Sequence, residues 1–192
     1  MTAPVLDLSF AHRWMAEILP ARPLILPPRH FIYPREAEEI ERGALEVFIK
    51  HHPLDGDIRS EAFLATCALG FRDPVVPTGI WSMPDAEKIC AVSGGYAYII
   101  DTKNPQRFTM ISYRPVLTVR AVPECKRLVF VGHHAIQAWG PDGQAWQSDK
   151  LSDEGVTITA ISAGILHGRG WEMMSDQETA FAIDLRSGIR AN

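Results

Sequence analysis

Seven histidines, three cysteines and five tryptophans are the residues of this 192-residue chain whose types are suited to chemistry or ligand recognition. His51-His52 and His133-His134 are adjacent pairs, and His167 stands alone. Imidazole is the commonest metal ligand, but neighbouring strand residues point to opposite faces, so an adjacent pair reaches one metal only where a turn bends it. His133-His134 falls at such a turn, where solvent-exposed imidazoles are the plain expectation, and no metal site is assigned there. The run Gly164-Ile165-Leu166-His167-Gly168-Arg169-Gly170-Trp171 is the most site-like segment. Its glycines let a ligand or another backbone approach closely, and a guanidinium beside an indole suits carboxylate or aromatic groups. The structural alternative is a central strand with glycines at a bulge and Arg169 paired to a nearby acid. Trp139 and Trp146 flank Gly140-Pro141-Asp142-Gly143, which sets two aromatics on facing strands of one hairpin, either as an exposed patch or as cross-strand core. The candidate binding set is therefore His133, His134, His167, Arg169, Trp171, Trp139 and Trp146, with no catalytic residue and no metal ligand named.

Two aspartates need separate treatment. Asp101 and Asp184 close similar Ile-Asp sequences at the ends of strand-like runs. Carboxylates about 5 to 10 Å apart share acid and base work in some hydrolases, but aspartates at such positions more often cap turns by accepting backbone N–H groups. Nucleophile signatures are missing: the chain has no Gly-x-Ser-x-Gly, Walker loop, His-Glu-x-x-His or Cys-x-x-Cys. Ser93-Gly94-Gly95 joins two strands and opens no helix, so it reads as a hairpin turn and not as a phosphate cradle. No cofactor is expected.

The elements that must position these residues are mostly β. From residue 79 onward, short runs rich in branched and aromatic side chains alternate with proline, glycine and aspartate turns. Strands are expected near 79–82, 88–93, 96–101, 107–112, 116–122, 127–132, 135–139, 144–148, 156–162, 164–171 and 178–184. Upstream, Leu45, Val47 and Ile49 alternate with Glu46, Phe48 and Lys50 as a strand at 44–50, and the apolar run at 62–69 is read as a buried strand. Residues 7–19 read as a helix capped by Asp7 or Ser9, with Phe10, Trp14, Ile18 and Leu19 on one face and Pro20 at its end. The proline-rich stretch after it is expected to be an extended connector, so residues 1–43 form a helix and connector wrapping one β-rich domain of 1–192.

A self-similarity runs through the β region. Pro84-Asp85-Ala86-Glu87-Lys88-Ile89-Cys90-Ala91-Val92-Ser93-Gly94-Gly95 is echoed about 39 positions later by Pro123-Glu124-Cys125-Lys126-Arg127-Leu128-Val129-Phe130-Val131-Gly132-His133-His134. A fainter copy runs over residues 158–188. The spacing resembles that of the WD-type β-propeller blade repeats, over roughly residues 79 to 188. That family's Gly-His and Trp-Asp signatures do not recur here, and Gly132-His133 is a single match. The stretch from Cys90 to Asp101 resembles small bacterial all-β proteins to which no activity is attached. The expected fold is all-β, built mainly of antiparallel hairpins as propeller-like blades or a two-sheet sandwich, with a short N-terminal helix.

Composition narrows the function classes. With 19 Lys and Arg against 23 Asp and Glu, the net charge of -4 offers no general field for nucleic acid or anionic lipid. Neither nucleic acid nor membrane is expected as a partner, and no run reaches the roughly 18 apolar residues of a membrane span. Cys67, Cys90 and Cys125 are few, odd in number and set mostly in apolar runs, which fits reduced thiols and a cytoplasmic location. The function expected is a non-enzymatic binding or protein-interaction module of a bacterial cell, of the immunity or accessory type. Two alternatives stand beside it: a small-molecule or metal-dependent hydrolase using a His/Asp/Arg site, and a structural homo-oligomer that pairs sheet edges.

Overall fold

The computed structural model describes residues 3–35, 41–52 and 62–191. Among them sixteen strands carry the fold and no α-helix occurs. The strands are β1 (Val5–Asp7), β2 (Trp14–Leu19), β3 (His30–Tyr33), β4 (Ala44–His51), β5 (Phe63–Ala68), β6 (Gly79–Ser82), β7 (Lys88–Ser93) and β8 (Tyr96–Asp101). They continue as β9 (Phe108–Met110), β10 (Thr118–Val122), β11 (Arg127–Val131), β12 (Ile136–Gly140), β13 (Gly143–Gln147), β14 (Val156–Ser162), β15 (Ile165–Glu172) and β16 (Gln177–Asp184).

The chain divides into two compact units, Met1–Pro115 and Val116–Asn192. The first holds a sheet ordered β1-β6-β7-β8-β9 and a second ordered β2-β4-β5-β3. β1 lies parallel to β6 and β3 parallel to β5; the other pairings in this unit are antiparallel. Trp14, Val47, Ile49, Phe63, Ile80, Ile89, Tyr98 and Ile100 meet in its core. Each such side chain contributes roughly 1.5–3 kcal/mol by leaving water. The second unit holds β10-β11-β12-β13 and β14-β15-β16, all antiparallel, around Val129, Val131, Ile136, Trp146, Leu166, Phe181 and Ile183.

Local sequence explains most of these elements. β4 turns Leu45, Val47 and Ile49 into the core, as the alternation requires. β5 is buried along its whole length, because it lies between β4 and β3 and both faces are covered. Gly94 and Gly95, at φ of 55° and 76°, form the two-residue turn between β7 and β8, a left-handed pair that side chains with a Cβ resist. β7, β11 and β15 start at 88, 127 and 165, each the second strand of a run of adjacent antiparallel strands.

The N-terminal helix is a correction. Trp14 to Leu19 is strand β2, paired antiparallel with β4 from Trp14 opposite His51 to Leu19 opposite Glu46. Trp14, Ala16 and Ile18 turn toward the core while Met15 and Glu17 are exposed, which is a period of two. The spacing of four from Trp14 to Ile18 satisfies both periods, and Ala16, too small to register as an apolar signal, hides the one that applies. Asp7 does not cap a helix; its Oδ1 accepts the N–H of Ser9 two residues on, closing a turn. Residues 20–29 form no strand, and the segment is tied down by Arg22, whose Nε lies 2.8 Å from Glu46 Oε1. Within the expected connector, β3 emerges directly after Pro27 and Pro28, as an edge strand.

Cys67 and Cys90 are buried free thiols whose burial raises their pKa, and Cys125 is a half-buried free thiol. No helix among the described residues is long and apolar enough to cross a membrane.

Candidate functional site

Strand β15 sorts its residues by parity. Leu166, Gly168 and Gly170 turn inward, while His167 and Arg169 are exposed and Trp171 half-buried on the opposite face. Three residues of the expected binding set thus stand in one row. Their lateral neighbours are small: His167 lies between Ala160 on β14 and Ala182 on β16, and Arg169 between Thr157 and Ala180. No bulky neighbour screens the imidazole or the guanidinium from these positions. Arg169 Nη1 lies 3.4 Å from Glu178 Oε2, an exposed pair worth at most about 1 kcal/mol. Trp171 Nε1 donates to Asp176 Oδ1 at 3.1 Å.

The inward glycines serve the fold. A Cβ on Gly170 would stand 2.0 Å from the carbonyl oxygen of Leu151, and one on Gly168 would stand 2.3 Å from the ring of Phe181. The close approach read in the sequence is therefore made by another backbone and a core ring. β14 carries a register shift opposite Gly168, so the bulge is present too.

Loop 148–155 joins β13 to β14 and ties part of the set together. Ser152 is 4% exposed; its Oγ accepts from Trp171 N at 2.9 Å and Glu154 N at 3.1 Å and donates to Trp171 O at 3.2 Å. Its carbonyl lies 3.2 Å from His134 Nδ1. His134 and Trp171 therefore share a hub, and the engaged, buried hydroxyl of Ser152 is no nucleophile. Asp153 accepts from Lys150 Nζ and from Met173 N, and these bonds hold its carboxyl below the usual range. Beyond Trp171 the β15–β16 turn exposes Met173 (64%) and Met174 (94%).

The remaining members of the set are dispersed. His133 is half-buried, with its ring centroid 6.2 Å from that of the exposed His134, in the β11–β12 turn. Trp139 and Trp146 are each 9% exposed and form no surface patch. Trp139 pairs with Gln144 and Trp146 with Ala138, so the two indoles lie on opposite faces of the hairpin. Trp146 enters the core and donates its Nε1 proton to Leu185 O at 2.9 Å. Asp101 Oδ1 accepts from Lys103 N and Asn104 N, and Asp184 Oδ1 from Arg186 N, Ser187 N and Ser187 Oγ; both carboxylates cap turns. The Ser187 donors keep the Asp184 carboxyl below its ordinary pKa. No group of three His, Cys, Asp or Glu among the described residues is placed to hold a metal.

Two features escape sequence reading. Glu46, on the polar side of the β4 alternation, is only 5% exposed. Thr66 Oγ1 donates to its Oε2 at 2.5 Å, and His30 Nε2 lies 2.8 Å from the same hydroxyl. With that hydroxyl's proton given to Glu46, His30 donates, and the row runs His30 to Thr66 to Glu46 to Arg22. A hydrolytic triad needs the hydroxyl to donate to the imidazole, so this row carries no nucleophile. Burial lowers the His30 pKa, against the pull of Glu46, which favours the neutral ring. The bonded pairs of the row are 20, 24 and 36 positions apart in sequence, and no local spacing announces it.

The second feature is a hollow of about 280 Å³ in the first unit, lined by all four residues of β3 together with Arg35, Pro105, Gln106 and Phe108. No residue of the expected binding set lines it. Tyr33 Oη donates to Pro105 O at 2.7 Å and Arg35 Nη2 to Gln106 O at 2.9 Å, fixing β3 against the β8–β9 turn.

No protein-family model matches the chain, and no curated protein sequence matches it.

Proposed function

We propose that this chain is a non-enzymatic binding or protein-interaction module of a bacterial cell, of the immunity or accessory type, whose β14–β16 face receives a protein partner. The observation that carries this reading is the row His167, Arg169 and Trp171, in which His167 and Arg169 are flanked by the small Ala160, Ala182, Thr157 and Ala180, leading to the exposed Met173 and Met174. Aromatic, arginine and methionine side chains are enriched where proteins meet, and thioethers adapt to varied partner surfaces. Among the described residues Arg169 is bound only by an exposed pair, so a partner's carboxylate can displace Glu178 at small cost. A protein partner suits a net charge of -4 better than nucleic acid does, and the reduced, buried Cys67 and Cys90 suit the cytoplasm. A propeller-like succession of blades is the architecture this reading takes, supported by adjacent-strand runs over β6–β9, β10–β13 and β14–β16.

A photo-crosslinking side chain placed at His167 tests the proposal, with the same group at Lys103 as control. The expected result is one discrete protein adduct from position 167 in living cells, lost on Trp171→Ala and absent from position 103. Equal labelling from both positions, or none from 167, overturns it.

The edge of β16 favours one second reading. Residues 177–180 are exposed at the end of the three-stranded sheet, and among the described residues only the far end of β16 is bridged, Ile183 to Arg190. Pairing of two such edges would make a homo-oligomer. A solution mass twice that of the 21.4 kDa chain, reduced to one chain by Thr179→Pro, supports it, and a monomeric mass excludes it.

A further inference from the structure

We infer that the hollow beside β3 is a strand-addition groove for an extended acidic segment of another protein, a site separate from the β14–β16 face. β3 closes the sheet β2-β4-β5-β3, so among the described residues one side of it has no strand neighbour. Its pairing with β5 decides which backbone groups face that side. Arg29 O accepts from Leu64 N at 3.0 Å, and His30 is registered with Leu64 and Ile32 with Thr66. In each registered pair of a parallel ladder one residue bonds to the two residues flanking its partner, and that partner turns its own N–H and C=O away; Leu64, which donates to Arg29 O, is the bonded member opposite His30. Phe31 and Tyr33 are therefore the ones bonded to β5, and His30 and Ile32 present two N–H and two C=O groups outward. No partner for these four groups occurs among the described residues. Outward groups two residues apart are what an added strand requires.

The walls of the hollow specify the segment's chemistry. Phe31 and Phe108 are half-buried and offer apolar surface for a side chain of the incoming strand. Arg35 is exposed, and with Nη2 on Gln106 O its other guanidinium donors remain for a carboxylate. Among the described residues lining the hollow there is no carboxylate, and its exposed charge is the Arg35 guanidinium. Its volume of about 280 Å³ falls just under the roughly 300–1,000 Å³ of drug-sized ligand sites, which suits a short length of chain. β3 itself is four residues long.

The test uses the full chain and fluorescent octapeptides of alternating valine and glutamate, read by anisotropy and by amide NMR shifts. One comparison peptide replaces glutamate by lysine, and another carries N-methyl groups on alternate backbone amides. The acidic peptide is expected to bind about tenfold or more tighter than the lysine peptide, with shifts confined to residues 30–35 and 105–108. N-methylation should abolish binding, as should Ile32→Pro, which removes one outward N–H and spares the bonds to β5. Arg35→Glu, at an exposed position, should reverse the preference for acidic peptide even if the proline variant folds poorly. Charge reversal at an exposed position outside both faces, Arg120→Glu, should leave peptide binding unchanged. Absence of acidic-peptide binding at about 1 mM overturns the inference, and so does binding that survives N-methylation or ignores peptide charge.

Discussion

Single side chains hold the β14–β16 face and the β3 edge in place through polar atoms that have left water. Thr66 is the clearest case, since its hydroxyl bridges Glu46 and His30 in a fully buried position. Thr66→Val keeps the shape and strips the buried carboxylate of a donor, which should cost about 1–3 kcal/mol in urea unfolding. A variant as stable as the parent would show that Glu46 needs no such donor. The same physics sets a pH dependence. Burial lowers the folded pKa of His30 and of His51 from the unfolded 6.5, in each case against a nearby glutamate. Between the lowered value and 6.5 the unfolded chain binds more protons, so these groups favour the folded state above 6.5 and lose that contribution as pH falls below it. The His30→Gln, His51→Gln double variant should therefore show a flatter loss of unfolding free energy below pH 6.5 than the parent; an equal or steeper loss would contradict the assignment.

At the scale of elements, glycine placement is the sharpest constraint. Gly170 lets loop 148–155 lie against β15, and that loop carries Ser152, the hub for Trp171 and His134. Gly170→Ala should cost about 1–3 kcal/mol through overpacking, and Trp171 fluorescence should shift as the loop lifts. Unchanged stability and emission would mean that the loop adapts without loss. Most elements from Gly79 onward were legible in the sequence, because turn residues there bracket short runs of branched and aromatic side chains. β2 was not, since Trp14 and Ile18 fit two periods at once, and β3 was hidden by the prolines on both sides of it. Of the proposed recognition face, the row on β15 could be read from alternation alone, as could the turn-capping role of Asp101 and Asp184. The burial of Glu46 and the free edge of β3 depend on pairings between distant strands, which no window of sequence contains.

For the molecule as a whole, reading 1–192 as one β-rich domain predicts cooperative unfolding, and the division of the chain into units Met1–Pro115 and Val116–Asn192 makes that reading testable. Calorimetry should give a single transition with equal calorimetric and van't Hoff enthalpies; two resolved transitions would mean that the units fold independently. A recognition role for the outward face of β14–β16 is the claim on which the functional reading turns. The most direct measurement of it is amide hydrogen exchange on the purified chain, alone and in the complex recovered through position 167. Slowed exchange at residues 165–180, with the rest of the second unit unchanged, is the outcome predicted. Slowing confined to other strands, with that stretch exchanging as freely as in the isolated chain, would contradict it.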